Sequence, residues 1–342
     1  MAEGQIVVED SGKMMEKMLD LPEQFEKAWT SLWTKSLPVA SDSFDKIIIA
    51  GLGGSGISGA LLVDLFGGKL AKPVTVWADY GLPGWADSRT LLIAVSYSGD
   101  TEETLDAVKT AVERKMSIVA ISSGGKLEEL SGINGFSLLK IDYQSPPRAA
   151  LGHLYGSLLT LCAKLQLIDI TEKSYFQAVE ELKKTIYQKT FPSKAEELAV
   201  TLNNKIPIIM AYPPLGAVAK RYQNQLNENS KTFALAATLP EACHNVVVGT
   251  EFAVPEKLLV LFLESQYGFS RNIARKKVIE KVLGEKDVPL VPLSVKSGSP
   301  LAEQLLFLHF GDLLSFFLAG VYGVDPTPID SIVLLKSELA KL

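Results

Sequence analysis

The sequence of 342 residues has few of the side chains that build disulfide frameworks or metal centres, with two cysteines and three histidines. Cys162 lies in an apolar segment and Cys243 lies beside His244, a spacing that fits neither a disulfide framework nor a metal cluster. We therefore expect a reduced, cytoplasmic compartment. Three ligands of the His, Cys, Asp or Glu type do not converge at metal-binding spacing, so we predict no metal site.

Dense runs of lysine or arginine are also absent, and the formal net charge is -5. A basic stripe is the usual electrostatic footprint of nucleic-acid binding, so we expect no nucleic-acid partner. An anionic substrate is compatible with this charge, because a pocket can bind phosphate through local amides and hydroxyls. Residues 1–20 lack a basic stretch followed by an apolar one, which predicts no secretory signal peptide.

One apolar run, residues 305–323, is long enough to cross a membrane. It carries His309 and Asp312, and such residues are costly inside a bilayer. A helix that is apolar on all sides is more often the buried centre of a large domain or a subunit interface, so we predict no membrane span. His153 lies in a similar apolar run, and we interpret His153 and His309 as packed core or interface residues.

The length of the chain predicts two domains. From residue 46, short apolar runs alternate with amphipathic segments, and the alternation restarts at residue 206 after two long helical stretches. Apolar strands separated by helices indicate parallel sheets covered on both faces. We therefore predict an α/β chain with an N-terminal helix and linker over 1–40, a doubly wound domain over 41–170, and a second over 171–342 that ends in a C-terminal helix.

The segment Gly51–Gly56 follows the first predicted strand and forms a GxGxxG pattern at the start of a helix. Glycines let the backbone approach an anion, and a helix N-terminus offers free N–H groups and positive potential. A dinucleotide-binding fold uses the same pattern, and Asp79 stands after the second strand, where a ribose-binding acid is expected. This pattern alone leaves both interpretations open.

The segment Ser96–Thr104 follows the next buried strand and places hydroxyl groups on a loop and on a helix N-terminus. Loops that follow neighbouring strands meet at the carboxyl edge of a parallel sheet, where open α/β folds bind ligands. Simple N-capping would stabilise that helix by about 1 kcal/mol, but it leaves the repeated hydroxyls unexplained. Together with Gly51–Gly56, this segment predicts a phosphate cradle.

Three further residues carry candidate chemistry. Arg148 follows a rigid Pro-Pro turn, and a permanently charged guanidinium can hold negative charge developing on a substrate oxygen, although a helix-end salt bridge is the structural alternative. Glu228 ends a predicted helix and offers a carboxylate for proton transfer, although a glutamate at such a position is usually only solvated. His244 carries an imidazole, a group that can both donate and accept a proton.

The strings GLGGSGISG and SYSGDTEET are similar to the two phosphate-binding loops of a sugar isomerase (SIS) domain, a flavodoxin-like fold that binds phosphosugars. PPRAALG, NENSK and PEACHN follow in the order found in bifunctional phosphoglucose/phosphomannose isomerases. The chain resembles that family over nearly its whole length. The resemblance implies a cofactor-free aldose–ketose isomerase that interconverts glucose 6-phosphate, and mannose 6-phosphate where either C2 configuration is tolerated, with fructose 6-phosphate.

The resemblance also implies a role for each site residue. Glu228 is the base, Arg148 stabilises the enediolate, and His244 opens the sugar ring. The family forms homodimers in which this histidine reaches the site from the other subunit. The residues implied to bind the substrate phosphate are Gly54, Ser55, Ser96, Ser98 and Thr101.

The C-terminal segment carries two looser correspondences. Lys336 matches a family lysine that assists ring opening, although Lys341 lies in the same tail. Thr327 matches a residue linked to acceptance of both C2 epimers. Asp100 stands where asparagine is commoner in the loop, and PEACHN replaces a bulkier pair before the histidine, so the breadth of substrate preference stays open.

Three other functions compete with this interpretation. A non-catalytic SIS protein that binds a phosphosugar and regulates a partner would keep the hydroxyl loops but could dispense with Glu228 and His244. The isomerase half of a glutamine-dependent amidotransferase needs an N-terminal cysteine nucleophile, and none lies near this N-terminus. A nicotinamide-dependent dehydrogenase would use Asp79 and would bind a dinucleotide that phosphosugars do not displace.

Overall fold

The computed structural model describes residues 6–37, 39–188 and 190–341. The predicted N-terminal helix is divided in two, α1 (Met14–Leu19) and α2 (Leu21–Trp33). Pro22 lies in the first turn of α2, where its missing N–H costs no helical hydrogen bond. Helix α2 packs against α6 (Leu151–Lys164) and buries Phe25 and Trp29 completely.

Five parallel strands form the first sheet in the order β2-β1-β3-β4-β5, as predicted for a doubly wound domain. Both faces of this sheet are covered by apolar residues. In β1, for example, Ile47 and Ile49 pack into the cluster on one face and Ile48 packs into the cluster on the other. The strands are β1 (Lys46–Ala50), β2 (Val74–Trp77), β3 (Thr90–Val95), β4 (Ser117–Ser122) and β5 (Ser137–Lys140), and the helices between them are α3 (Gly53–Phe66), α4 (Glu102–Glu113) and α5 (Gly125–Asn134).

Four parallel strands form the second sheet in the order β7-β6-β8-β9, which repeats the first four positions of the first sheet. The predicted fold class of two doubly wound parallel sheets is confirmed. The strands are β6 (Ile206–Ala211), β7 (Leu235–Thr238), β8 (Leu258–Glu264) and β9 (Leu290–Ser294), with helices α9 (Gly216–Asn229) and α10 (Ser270–Gly284). The division of the chain at residue 170 stays a prediction.

The remaining helices connect and flank the sheets. They are α7 (Glu172–Ile186), α8 (Thr190–Thr201), α11 (Pro300–Tyr322) and α12 (Asp330–Leu339). Helix α8 is a third helix before residue 206, where the sequence predicted two helical stretches. Pro192 lies in the first turn of this helix, where proline is tolerated.

Helix α11 contains the long apolar run that raised the possibility of a membrane span. Its length and composition would allow it to cross a bilayer, but 78% of its most apolar stretch is buried inside the protein. It packs against α7, α8 and α9, and His309 on α11 is completely buried. Helix α11 is therefore a central core helix, and His309 is a core residue as predicted.

Candidate active site

The two predicted phosphate loops lie side by side because β1 and β3 are hydrogen-bonded neighbours. Tyr97 N–H donates to Ser55 Oγ over 3.0 Å, which joins the two loops directly. The Ser96 and Thr101 hydroxyls lie 2.9 Å apart. Ser98 is exposed at the rim, and its hydroxyl accepts a hydrogen bond from an N–H of the same loop. The structure therefore brings the predicted hydroxyl groups to one edge of the first sheet.

Gly54 connects these loops to Arg148. A Cβ at position 54 would lie 3.1 Å from both the backbone N and the Cα of Arg148. A larger residue would have to displace backbone there, so glycine permits the approach of α3 to the Pro147–Ala149 turn. Gly99 holds the other loop with φ of 75° and packs against the Gly124 carbonyl, which leaves no room for a side chain.

Arg148 is buried, with 2% of its surface exposed, and its guanidinium is held on three sides. Its Nε donates to Asn229 Oδ1 over 2.7 Å, and its Nη2 donates to the carbonyls of Pro326 and Thr327 over 2.7 and 2.8 Å. Its Nη1 lies 3.6 Å from Glu228 Oε2. Burial lowers the pKa of Arg148, and the Glu228 carboxylate opposes that shift.

Glu228 lies near the C-terminal end of α9, with its side chain 24% exposed. It borders a cavity of about 490 Å³ together with Lys231 and the segment 328–332. One side of the carboxylate therefore faces a buried cation and the other faces open space. A base needs this combination of a fixed position and access to a bound substrate.

Lys231 is a residue of this site to which the sequence assigned no role, although it lies in the NENSK string. Its Nζ donates to the carbonyls of Glu228 and Asn229 over 2.7 and 3.3 Å and to that of Pro326 over 3.4 Å. Burial lowers the pKa of Lys231, and the neighbouring Arg148 charge lowers it further. Lys231 thus anchors the end of α9 to the C-terminal segment.

His244 and Lys336 lie on exposed elements, the short turn Glu241–His244 and helix α12. Across the described ranges, neither side chain forms a hydrogen bond or ion pair with Arg148 or Glu228. The Nζ of Lys341 lies 2.6 Å from Glu338 Oε1, whereas Lys336 has no ion pair in the part of the chain that the structure describes. The choice of Lys336 over Lys341 stays a prediction.

Thr327 lies beside the Arg148 guanidinium, but its hydroxyl has another partner. Thr327 Oγ1 accepts a hydrogen bond of 3.1 Å from Gly12 N–H, while its carbonyl accepts from Arg148. The link between Thr327 and epimer acceptance stays a prediction. Asp79 is exposed, and its carboxylate accepts from the adjacent Tyr80 N–H.

The second sheet carries a loop at the position equivalent to the Ser96 loop. Ser265 follows β8 as Ser96 follows β3, and β3 and β8 occupy the same place in the two strand orders. In this second loop, the Ser265 hydroxyl and the Gln266 N–H both donate to the carboxylate of Glu303, the latter over 2.9 Å. Glu303 is completely buried, so an internal carboxyl group occupies the second loop, and burial raises its pKa.

Comparisons with known proteins identify the family of this chain. The sequence profile of the bacterial phospho-glucose isomerase C-terminal SIS domain matches residues 191–339. A bifunctional phosphoglucose/phosphomannose isomerase of Caldicellulosiruptor bescii is 37% identical, with 96% of this chain and 99% of the relative covered. The chain belongs to this family. A member of the family from Thermoplasma volcanium is 33% identical, with 87% of this chain and 92% of the relative covered.

Solved structures support the fold assignment in the same way. The crystal structure of a hypothetical protein from Thermus thermophilus superposes with a TM-score of 0.75 at 17% identity. The superposition covers 97% of this chain and 91% of the other. This chain and the Thermus thermophilus protein therefore share the two-sheet architecture at low sequence identity.

Proposed function

We propose that this protein interconverts glucose 6-phosphate and mannose 6-phosphate with fructose 6-phosphate through a cis-enediolate. The observation that carries the proposal is the pairing of Arg148 with Glu228 at 3.6 Å, with the Arg148 backbone packed against Gly54 of the first phosphate loop. A cation and a base held together beside a phosphate cradle are the groups that proton transfer between two sugar carbons requires.

The substrate phosphate binds between the loops that follow β1 and β3. Hydroxyls from Ser55, Ser96, Ser98 and Thr101 converge there with the N-termini of α3 and α4, whose free N–H groups favour an anion. The equivalent loop of the second sheet already holds the Glu303 carboxylate. One phosphate site per chain follows from this difference.

Glu228 removes the proton from C2 of an open-chain aldose and returns it to C1, and the reverse sequence forms the aldose. The carbonyl oxygen becomes an enediolate oxygen during this transfer, and Arg148 holds the developing negative charge. Because one carboxylate serves both carbons, the proton leaves and returns on one face of a cis-enediolate. Glucose 6-phosphate and mannose 6-phosphate differ in the face of C2 that carries the proton, so the enediolate must present one or the other face of C2 to Glu228 for each aldose to form.

Ring opening requires a proton donor for the ring oxygen and an acceptor for the C1 hydroxyl proton. His244 and Lys336 take these roles in a homodimer whose sites combine residues of two subunits. Every residue of α12 is exposed, including five apolar ones, which fits a helix that packs on a second copy. These residues are Ile332, Val333, Leu334, Leu335 and Leu339.

This activity places the protein in cytoplasmic carbohydrate metabolism, at the step between aldose and ketose phosphates that glycolysis and gluconeogenesis share. We expect neither a redox cofactor nor a metal ion to take part, since the proton transfer needs only a base, a cation and an acid.

A coupled assay with fructose 6-phosphate in EDTA, which scores glucose 6-phosphate and mannose 6-phosphate separately, tests the proposal. We expect both aldoses to form and Glu228→Gln to lose at least about a hundredfold in kcat, as for loss of a general base. Glu113→Gln, on the exposed surface of α4, is the matched control and should keep full activity. Binding of fructose 6-phosphate without formation of either aldose would refute the enzyme and favour a phosphosugar sensor.

A further inference from the structure

A buried ion pair lies directly behind Arg148. Arg221 on α9 and Asp312 on α11 are 1% and 3% exposed, and Arg221 Nη2 lies 3.0 Å from Asp312 Oδ1. The same Nη2 donates to the backbone carbonyl of Arg148 over 2.7 Å. One guanidinium therefore joins the core helix α11 to the main chain of the residue that faces Glu228.

A second chain of hydrogen bonds reaches the Arg148 side chain from the same helix. Asn229 accepts from Arg148 Nε through its Oδ1, and its Nδ2 donates to Ser315 Oγ over 2.9 Å. Ser315 Oγ in turn donates to the Asp312 carbonyl over 2.8 Å. The Asp312 carboxylate also accepts from Gln225 over 2.6 Å.

Stability alone gives a weak reason for this network. Burying two charges costs desolvation energy that their attraction often only balances, and well-packed apolar residues of similar size can serve a core equally well. A hydrogen-bonded network does supply fixed geometry. Here one branch fixes the backbone of Arg148 and the other fixes the plane of its guanidinium.

We propose that Arg221, Asp312 and Ser315 are positioning residues that set the placement of the Arg148 guanidinium for enediolate stabilisation. The inference rests on the proposed function of Arg148. Interactions made only in the transition state lower kcat when they are lost, whereas phosphate binding depends on the separate loops of the first sheet. Disturbing the network should therefore lower kcat and leave KM for fructose 6-phosphate nearly unchanged.

A double-mutant cycle with Arg148→Lys tests this coupling. Arg221→Lys keeps the charge but loses the planar fork, and Asp312→Asn keeps the shape but loses the charge. We expect each to lower kcat on the order of 10- to 100-fold, as displaced catalytic groups do. In the Arg148→Lys background, either substitution should change kcat by less than about threefold, because the guanidinium that Arg221 and Asp312 position is already absent.

Glu303→Gln is the matched control, since Glu303 is also a buried carboxylate on α11 but contacts Ser265 and Gln266 instead. It should keep kcat. Thermal unfolding identifies the variants that fold. Where Arg221→Lys or Asp312→Asn does not fold, Ser315→Ala, which leaves the ion pair intact, carries the test with a smaller expected loss of kcat.

The outcomes separate the two proposals. If Arg148→Lys alone keeps kcat, the proposed role of Arg148 fails, and with it the basis of the inference. If Arg148→Lys lowers kcat but the network variants keep it, the proposed function stands and the positioning role is overturned. The same conclusion follows if a network variant lowers kcat by the same factor in the Arg148→Lys background as in the wild type. A KM increase that matches the loss of kcat/KM would also overturn it, because that pattern reports lost ground-state binding.

Discussion

The carboxylate of Asp64 on α3 accepts a hydrogen bond of 2.8 Å from the N–H of Ala217, at the N-terminus of α9. The N-cap residue of α9 is Leu215, whose side chain has no hydrogen-bond acceptor. The first helix after one sheet's β1 therefore caps the first helix after the other sheet's β6. Helix α9 carries Arg221, Glu228 and Asn229. This contact therefore links the helix of the phosphate loop to the helix of the base.

Replacing Asp64 should destabilise the protein. We expect Asp64→Ala to lower the free energy of unfolding by about 1 to 2 kcal/mol, the usual value of a lost cap, measured by urea denaturation at pH 7. Asp64→Asn retains an acceptor oxygen and should retain most of the stability. Equal losses in both variants would show that the charge, and not the hydrogen bond, stabilises α9.

Matched serine substitutions should separate the two equivalent loops. Ser96→Ala removes a hydroxyl from the proposed phosphate loop, where it contacts Thr101 Oγ1 and accepts from Gly99 N–H. It should weaken binding of fructose 6-phosphate roughly tenfold, the value of one hydrogen bond to a charged group. Ser265→Ala removes the hydroxyl that Glu303 already occupies and should leave binding unchanged. Titration calorimetry gives both affinities and the stoichiometry. Two phosphosugars bound per wild-type chain would contradict the single-site interpretation.

Mixed subunits should reveal whether the sites are shared. Glu228→Gln and His244→Gln homodimers should each be nearly inactive. In a mixed dimer, one site combines the wild-type Glu228 of one chain with the wild-type His244 of the other. Random reassortment by refolding should then restore up to about a quarter of wild-type activity, by the symmetry of a two-fold dimer. Recovery that stays at the level of the separate variants would place both residues of each site in one chain.

Acid should destabilise the protein through His309. Burial lowers the pKa of His309 to about 4, below its value of 6.5 in the unfolded chain. As the pH falls below 6.5, the unfolded state binds a proton that the folded state excludes, so this contribution to stability is lost between about pH 6.5 and 4.

At pH 5 this one group lowers the free energy of unfolding by about 2 kcal/mol relative to pH 7. His309→Phe removes the titrating group from a site where Phe191 already stacks on the imidazole ring. Urea denaturation at both pH values should show a smaller pH effect in the variant. The same pH dependence in variant and wild type would exclude His309 as its source.

Much of the fold could be predicted from the sequence because its signals are local. Each strand is a short apolar run, and the hydroxyls of Ser96 and Thr101 stand close together in the chain. The position of a loop after a buried strand then predicts the carboxyl edge of the sheet without further information. The roles of Arg148, Glu228 and His244 came from family resemblance, because residues of these types are common in helices and turns.

Other features depended on tertiary structure because their partners lie far apart in the sequence. Arg221 and Asp312 are separated by 91 residues, and Asp64 and Ala217 by 153. The same is true of Glu303, which reaches the loop of Ser265 from a position just before the apolar run of residues 305–323. Side chains of this kind carry no local pattern, since their partners are set by how α3, α9 and α11 pack. The sequence by itself determined the strands and the two sheets and predicted the phosphate loops, whereas helix packing decided which buried charges meet behind Arg148 and which of the two equivalent loops holds an internal carboxyl group.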